Sequence, residues 1–358
     1  MLTMLRTLTS VLVAVSMVLL SGCNPFSEAQ PMMDEYVERV ARVLELNYEL
    51  DPVTIGQQIP RRRYRRLDLP EQDINMLDFL SLYGCDLQYV VGERNSVMGK
   101  VMQPLNRLRY EQRFIVAARA CLPEIEAEDL QVAVQAAIDS KIANLPLAYW
   151  NASWGTEGME SLVTFAKGPL PVDAEPDAMA QLVSDLNLVA ERLETIQDGD
   201  YLQPLDDLGE VHQRWQNTHS VGQLIVSAYL LIHRLDDASQ LIDQRVDGQP
   251  LCFQGKAGSQ AKLAQGVLFN VYGKEVQPYL ARVQRFRDAV IPAMARLADM
   301  QSPVMPQEVR NWYQRYLIVD QPGSLWGDLD AAMARHTRSW QTLMQQCGLM
   351  PASADFQG

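Results

Sequence analysis

Apolar residues recur at every third or fourth position along most of this chain, which is the spacing of one face of an α-helix. Sustained alternation of apolar and polar residues, which is typical of a half-buried strand, is almost absent. The longest seam precedes a stop at Asp198-Gly199 and consists of Met179, Leu182, Leu186, Val189, Leu193 and Ile196. The pattern therefore predicts an all-α protein, a multi-helix bundle with long C-terminal helices and little or no β-structure.

Three more apolar stripes predict helices in the second half of the chain. One spans residues 221–235, and a second spans residues 276–297 with Pro278 in its first turn, where a proline is tolerated. The last stripe includes His336, which we expect to be a core histidine with a local partner. Its members are Trp326, Leu329, Met333, His336, Trp340, Leu343 and Cys347.

The first half of the chain predicts shorter helices, at about 32–46, 73–91, 104–119 and 126–143. Three prolines predict an extended segment over residues 50–71, Gly92 follows the second helix, and residues 145–170 read as loop and short helix. A boundary near residues 171–176 separates two helical parts that we expect to pack as one body. The predicted organisation is a signal peptide (1–22), a tether (23–31), an N-terminal helical part (32–170), a C-terminal long-helix bundle (171–350) and a tail (351–358).

The first residues predict an exported, lipid-anchored protein. Arg6 precedes an apolar run over residues 11–20, which is shorter than the about 20 residues that span a bilayer, so a cleaved signal peptide is expected. The run ends in Leu20-Ser21-Gly22-Cys23, which resembles the bacterial lipobox and implies a diacylglyceryl anchor on Cys23. Asn24 rather than Asp follows, and by resemblance to the sorting rule of enteric bacteria this favours the periplasmic face of the outer membrane. The alternative is a buried free cysteine after an apolar helix.

Composition and charge exclude one class of partner. The 358 residues are 47% hydrophobic and 21% charged, which is typical of a globular protein. The formal net charge is −13, and it becomes one unit more negative when residues 1–22, which contain Arg6 and no acidic residue, are removed. A protein this acidic is repelled by phosphate backbones, so we expect no nucleic-acid partner.

Four cysteines follow Cys23, namely Cys85, Cys121, Cys252 and Cys347. An even number in an oxidising compartment predicts two disulfides, and three pairings are possible. We favour Cys85–Cys121 and Cys252–Cys347 because each bond links elements within one half of the chain. Their loop lengths correspond to roughly 4 and roughly 5 kcal/mol of stabilisation, respectively. Four unpaired thiols are the alternative.

Four segments of the chain are similar to those of a proteobacterial lipoprotein family, the domain of unknown function 3080. They are residues 61–66 (RRRYRR), 78–85 (DFLSLYGC), 92–96 (GERNS) and 149–154 (YWNASW). The resemblance covers nearly all of the mature chain. It implies the lipoprotein location and a single-family architecture, and it supplies no activity, substrate or catalytic residue.

The densest candidate binding motif puts five guanidinium groups within six residues of an acidic protein: Arg61, Arg62, Arg63, Arg65 and Arg66. Guanidinium groups bind carboxylates and phosphates through paired hydrogen bonds, so this cluster could bind lipid phosphates, lipopolysaccharide or an acidic protein. The alternative is that these arginines pair with the protein's own acidic residues or are simply solvated.

Two further sets of residues are candidates for a site. Glu93 could act as the acid of a glycan hydrolase, whereas the alternative is that Arg94 and its neighbours cap the preceding helix. Trp150 and Trp154 could stack on a sugar or a peptide, although closely spaced aromatic residues are more often part of a core.

No metal site or cofactor is predicted. His212, His219 and His233 share a helical phase if residues 207–243 form one helix, but seven residues separate ligands by roughly 10 Å, too far to share a metal ion. We therefore expect a non-enzymatic scaffold or binding module, held at the envelope membrane through Cys23, with an envelope protein or glycan as partner. An envelope glycan hydrolase that uses Glu93 is the alternative, and a carrier of small apolar ligands is a third possibility. The oligomeric state is left open.

Overall fold

The computed structural model of the chain describes residues 28–70, 84–173 and 176–349. Cys23, the signal peptide, the tail over residues 351–358 and most of the helix expected at 73–91 lie outside these residues. The described helices are α1 (Ala29–Leu44), α2 (Arg62–Arg65), α3 (Asp86–Asn95), α4 (Val97–Lys100), α5 (Pro104–Cys121), α6 (Glu128–Ser153), α7 (Glu157–Leu162), α8 (Pro176–Gln197), α9 (Asp206–Gln216), α10 (Ser220–Asp247), α11 (Ser259–Val267), α12 (Gln277–Asp299), α13 (Gln307–Tyr316) and α14 (Leu325–Gln346).

The all-α fold class is confirmed. Within the described ranges, the only β-type pairing is an isolated bridge between Phe253 and Lys256. Across those same ranges, no helix is both long enough and apolar enough to cross a bilayer.

Helix α10 lies at the centre of the bundle because nearly all of its faces carry apolar residues. It packs along α14 and α1 and also contacts α12. Val221, Leu224, Ile225 and Leu231 are fully enclosed on this helix, as the apolar stripe over residues 221–235 predicts. The buried residues of the two parts of the chain join one continuous hydrophobic cluster, and their division into two parts stays a prediction.

Helix α6 is longer than its sequence indicates. We expected loop and short helix from residue 145, but α6 continues through Pro146 to Ser153. A proline removes one backbone hydrogen bond, whereas the turns after it bury Tyr149 and Trp150 completely. The burial of these large side chains outweighs the lost bond.

Residues 207–243 do not form one helix. Helix α9 ends at Gln216 and α10 begins at Ser220, so the three histidines in this region do not share one helical face. The break is held by His219, whose Nδ1 lies 2.9 Å from the carbonyl oxygen of Ser161.

Two smaller differences concern where helices begin and end in the first half of the chain. The helix that contains Gly92 does not end at this residue, since α3 continues to Asn95. Helix α4 follows, and the hydroxyl of Ser96 caps its N-terminus. The segment over residues 50–71 also contains the one-turn helix α2 rather than extended chain throughout.

Pro278 does lie in the first turn of α12, but the helix does not begin there. A π-helical segment, Leu268–Val276, joins α11 to α12 without interruption. Proline cannot donate a backbone hydrogen bond and its ring crowds the carbonyl four residues earlier, which favours a wider turn before it. The π segment places the ring of Tyr272 4.6 Å from that of His336, measured between centroids.

The structure brings the four cysteines together in the favoured pairing. Cys85 and Cys121 join the start of α3 to the end of α5, with 5.7 Å between their Cα atoms. Cys252 and Cys347 join the loop before α11 to the end of α14, with 5.1 Å between their Cα atoms. Both separations suit a disulfide bond.

Candidate functional site

The arginine-rich helix α2 is held firmly on α6 by hydrogen bonds to its backbone. The Trp150 indole N–H donates to the carbonyl oxygen of Arg65 at 2.6 Å. The Asn151 side chain accepts from the Leu67 N–H and donates to the Leu67 carbonyl, each at 2.7 Å. Because all three contacts bind backbone, they fix the position of α2 and leave its side chains free for other contacts.

An open groove of about 700 Å³ lies beside α2. One wall consists of residues 57–61 with Arg63 and Tyr64, and the other wall is formed by Glu160 and Thr164 around helix α7. Glu160 also accepts a hydrogen bond from the Arg62 backbone N–H at 3.3 Å, which ties the two walls together.

The arginines of this segment have different surroundings. Arg62 forms an ion pair with Glu157 on α7. The Arg63 guanidinium lies over the Tyr64 ring, 4.6 Å from its centroid, and donates to the Tyr64 hydroxyl at 2.7 Å. Arg61, Arg63 and Arg66 are exposed, and in the described part of the chain no carboxylate lies within ion-pair distance of them. The expected pairing with the protein's own acids is therefore observed for Arg62 alone.

Arg65 is enclosed instead of presented to solvent. Its exposed fraction is 0%, and its Nε, Nη1 and Nη2 atoms have no hydrogen-bond partner among the described residues. Burial lowers the pKa of the Arg65 guanidinium to about 10, and the negative charge of Glu160 opposes this shift. The side chain is therefore cationic at neutral pH, buried and uncompensated. Arg65 therefore differs from both alternatives for the cluster, since it is neither solvated nor paired with an acidic residue among those the structure describes.

A second buried arginine, Arg234 on α10, was not singled out from the sequence. Its Nε donates to Asp34 at 2.6 Å, and its Nη1 donates to Asp237 at 3.0 Å and to the Asp51 carbonyl at 2.7 Å. It borders a smaller cavity of about 410 Å³, which lies near the N-terminal end of α1. Its partners are up to 200 residues away in the sequence, so local spacing could not reveal them.

The candidate hydrolase residues do not form a cleft. Glu93 is about half-exposed and accepts from Arg113 at 2.7 Å, and Arg94 donates to the Gly99 carbonyl at 2.6 Å. Trp150 and Trp154 are fully buried and stack on each other, with 5.7 Å between their ring centroids. Neither indole face is open to a sugar, so the core interpretation of this pair agrees with the structure.

His336 is a core histidine, as expected, but its hydrogen-bond partners are not all local. Its Nε2 lies 2.5 Å from the Tyr36 hydroxyl on α1, which also accepts a bond from the Trp340 indole at 2.9 Å. Its Nδ1 is buried without a partner among the described residues. Burial lowers the pKa of His336 to about 3, so the ring is neutral at physiological pH.

No group of three or more His, Cys, Asp or Glu side chains in residues 28–70, 84–173 and 176–349 is arranged to hold a metal ion. The polar side chains that line the groove beside α2 are amides, guanidiniums, hydroxyls and one carboxylate, which belong to Gln57, Gln58, Arg61, Arg63, Tyr64, Thr164 and Glu160.

A family model described as "Protein of unknown function (DUF3080)" matches residues 33–351. No curated protein matches the chain, and no solved structure does. The match spans almost all of the described residues, including both walls of the groove.

Proposed function

We propose that this chain, which belongs to the DUF3080 family of proteins of unknown function, is a lipid-anchored envelope protein that binds an anionic partner without catalysis. The observation that carries the proposal is the groove beside α2, where Arg61 and Arg63 lie without a carboxylate partner among the described residues. A carboxylate or phosphate placed there accepts charge-assisted hydrogen bonds from both guanidiniums.

The groove brings two unpaired guanidiniums, those of Arg61 and Arg63, to one concave surface. Elsewhere some surface arginines meet carboxylates, as Arg335 meets Asp236 at 2.6 Å. Others, such as Arg285 and Arg338, are exposed singly on helices with no carboxylate within ion-pair distance among the described residues. The net charge of −13 repels anions at long range, but salt screens that field within about 8 Å at physiological ionic strength. The partner is therefore recognised by direct contact in the groove.

The proposed location rests on the lipobox-like sequence at Cys23, which supports an anchor at the periplasmic face of the outer membrane. Helix α1 begins at Ala29, so at most ~20 Å of extended chain separates the anchor from the first helix. A tether of this length would keep the start of α1 near the membrane surface. The glycan-hydrolase alternative is not proposed, because Glu93 pairs with Arg113 and both candidate indoles are buried.

The binding proposal is tested by photo-crosslinking in cells. Tyr64 is 62% exposed beside the groove and can be replaced by a photoreactive residue. We expect an envelope component to be captured, and the capture to be lost in Arg61→Ala/Arg63→Ala. The matched control is Arg285→Ala/Arg338→Ala, which removes the same charge from two exposed arginines elsewhere. Equal capture by both double variants would contradict the proposal.

The anchor is tested separately by metabolic labelling with a fatty-acid analogue. The natural chain should incorporate the label, and Cys23→Ala should incorporate none, because the lipobox-like sequence provides one acceptor thiol. Label that persists in Cys23→Ala would rule out this anchor. The result is independent of whether the groove binds an anion.

A further inference from the structure

We propose that the cavity beside Arg234 is a second binding site, whose ligand is a single acyl chain with a neutral ester or amide carbonyl group. This cavity and the groove beside α2 share no lining residue. The inference therefore goes beyond the proposed function, and it can fail while the groove still binds an anionic partner.

The floor of the cavity is one face of the central helix α10. Val226, Leu230 and Arg234 are four residues apart, so they lie along one stripe of that helix, and each is at most 4% exposed. One wall is formed within residues 50–55, and the other within residues 165–169. The volume of about 410 Å³ lies near the lower end of the range for small-molecule sites, which suits one short chain rather than a two-chain lipid.

Most side chains around the cavity are apolar. On the walls they are Leu50, Pro52, Val53, Ile55, Phe165, Ala166 and Pro169. Ile55 is 37% exposed, and Val53 and Phe165 are only partly buried, so these side chains leave apolar surface in contact with water. An aliphatic chain that fills the cavity removes this surface from water, which favours binding.

Arg234 supplies the polar end of the cavity. Its Nε and Nη1 atoms donate to the carboxylates of Asp34 and Asp237 and to the Asp51 carbonyl oxygen. Its Nη2 atom donates to no acceptor among the described residues, and unlike the nitrogens of Arg65 it is not enclosed. Nη2 therefore reaches accessible space, which Arg234 borders at this cavity. A ligand that displaces water from this donor must supply an acceptor oxygen.

The charges around this donor favour a neutral acceptor. One guanidinium, that of Arg234, lies among the carboxylates of Asp34, Asp237 and Asp51, which leaves a formal charge of −2. This charge repels a carboxylate or phosphate. A cationic head group cannot accept from Nη2, and pairing with the exposed Asp51 adds little. A carbonyl oxygen accepts the hydrogen bond without bringing a charge.

The test is photo-labelling of the full-length chain in a fluorinated surfactant, whose tails do not compete for an apolar site. The probe is 1-monodecanoylglycerol with a diazirine in its acyl chain, and we expect the label within residues 226–234 and the facing walls. Ala166→Trp should reduce labelling at least about tenfold, because a large side chain on this exposed wall fills the cavity. Lys167→Trp, at the next exposed residue, which does not border the cavity, is the matched control. Equal labelling of the two variants, or labelling elsewhere, overturns the proposal.

Competition with unlabelled amphiphiles tests the charge of the head group. Monodecanoylglycerol should compete at least about tenfold better than decanoate, because decanoate brings a negative charge to a negative site. It should also compete better than decyltrimethylammonium, which has no acceptor for Nη2. Stronger competition by either ion overturns the assignment of a neutral ligand.

The role of Arg234 is tested with an ester and an ether. The natural chain should bind monodecanoylglycerol about two- to tenfold more tightly than 1-O-decylglycerol, which lacks the carbonyl group. Arg234→Lys keeps a cation beside Asp34 and Asp237 but removes Nη2, so the preference for the ester should disappear. A preference that persists in Arg234→Lys overturns the assignment of this donor. The Trp variants keep the proposal falsifiable if Arg234→Lys does not fold.

Cys23→Ala distinguishes two sources of the acyl chain. Gln30, in the first turn of α1, borders the cavity, so the acyl chains expected on Cys23 could reach it as well as a free ligand. Equal labelling of the natural chain and Cys23→Ala identifies a free ligand. Labelling of Cys23→Ala alone identifies the chain's own anchor, and the Trp variants are then compared in that form. No labelling of either form overturns the proposal.

Discussion

Arg65 and Arg234 are the two buried arginines among the described residues, and their surroundings are opposite. Arg234 meets two carboxylates and a backbone carbonyl, whereas Arg65 meets no acceptor in the described structure. Where a guanidinium belongs to the framework of the fold, as at Arg234, the fold supplies its acceptors. Arg65 has no such acceptor among the described residues, so the fold carries the cost of an enclosed charge at this position.

The two arginines also lie in different kinds of structure. Arg234 is on α10, and its bonds reach Asp34 on α1 and the chain at Asp51, so it connects the central helix to two other segments. Arg65 ends a one-turn helix beside an open groove. The first arrangement stabilises the bundle, whereas the second encloses a charge without a partner among the described residues.

The largest expected effect comes from breaking the paired network. Arg234→Met should lower the free energy of unfolding by about 3–5 kcal/mol, because it leaves the partly buried carboxylate of Asp34 and the buried carboxylate of Asp237 without their cation. Urea unfolding followed by circular dichroism measures this loss. A loss no larger than that of Arg65→Met would remove the distinction between the two arginines.

The helical framework could be predicted because a helix that packs in a bundle carries apolar residues at every third or fourth position of the sequence. The seam over residues 179–196 falls within α8, and the stripe from Trp326 to Cys347 falls on α14 and its end. Predictions failed where tertiary packing overrode local signals, as in the continuation of α6 through Pro146. The break before α10 was also missed, since its stabilising contact is with Ser161, 58 residues earlier.

The candidate site could be predicted only in part. Five arginines in six residues are visible in the sequence as a cluster, but their separate surroundings depend on Glu157 and Glu160, about 95 residues away. The uncompensated state of Arg65 has no local signature at all. The buried contacts of Arg234 and Tyr36 could not be predicted from the sequence either, because their partners lie 200 and 300 residues away.

Lowering the pH should have the next largest effect on the free energy of unfolding, because protonation of His336 would create a second unpaired cation in the core. Its folded-state pKa of about 3 lies below the ordinary value of 6.5, so the unfolded chain binds the proton first as pH falls. Stability is therefore full above about pH 6.5 and declines toward pH 3, by about 2–3 kcal/mol between pH 7 and 4.5 for this residue. Unfolding experiments across this range should show the decline.

Carboxylates titrate in the same range, so a control must isolate His336. His336→Gln keeps an acceptor for Tyr36 and Trp340 but cannot be protonated, and it should flatten the pH dependence by about one proton. Tyr36 and Tyr272 face the ring, and burial raises the pKa of each, so they stay neutral throughout. An unchanged slope in His336→Gln would show that a protonated His336 is tolerated in the core.

A smaller effect of opposite sign is expected at Arg65. Arg65→Met should raise the free energy of unfolding by about 1–3 kcal/mol, because it removes an enclosed charge without breaking a pair. Urea unfolding of Arg65→Met beside the natural chain measures this gain. A destabilised Arg65→Met would mean that the guanidinium has an acceptor within the fold, and the comparison with Arg234 would then fail.

The smallest change in stability is expected at Glu157, and it separates stability from binding. The Arg62–Glu157 pair is largely solvent-exposed, with side-chain exposures of 33% and 60%, and such pairs contribute about 0–1 kcal/mol. Glu157→Gln should therefore leave unfolding almost unchanged. It frees the Arg62 guanidinium beside the groove, so the anionic partner captured at Tyr64 should bind more tightly, and this gain should shrink as salt is added. Tighter binding without a stability change is expected only if the charge of α2 acts on the partner, whereas unchanged binding would confine recognition to Arg61 and Arg63.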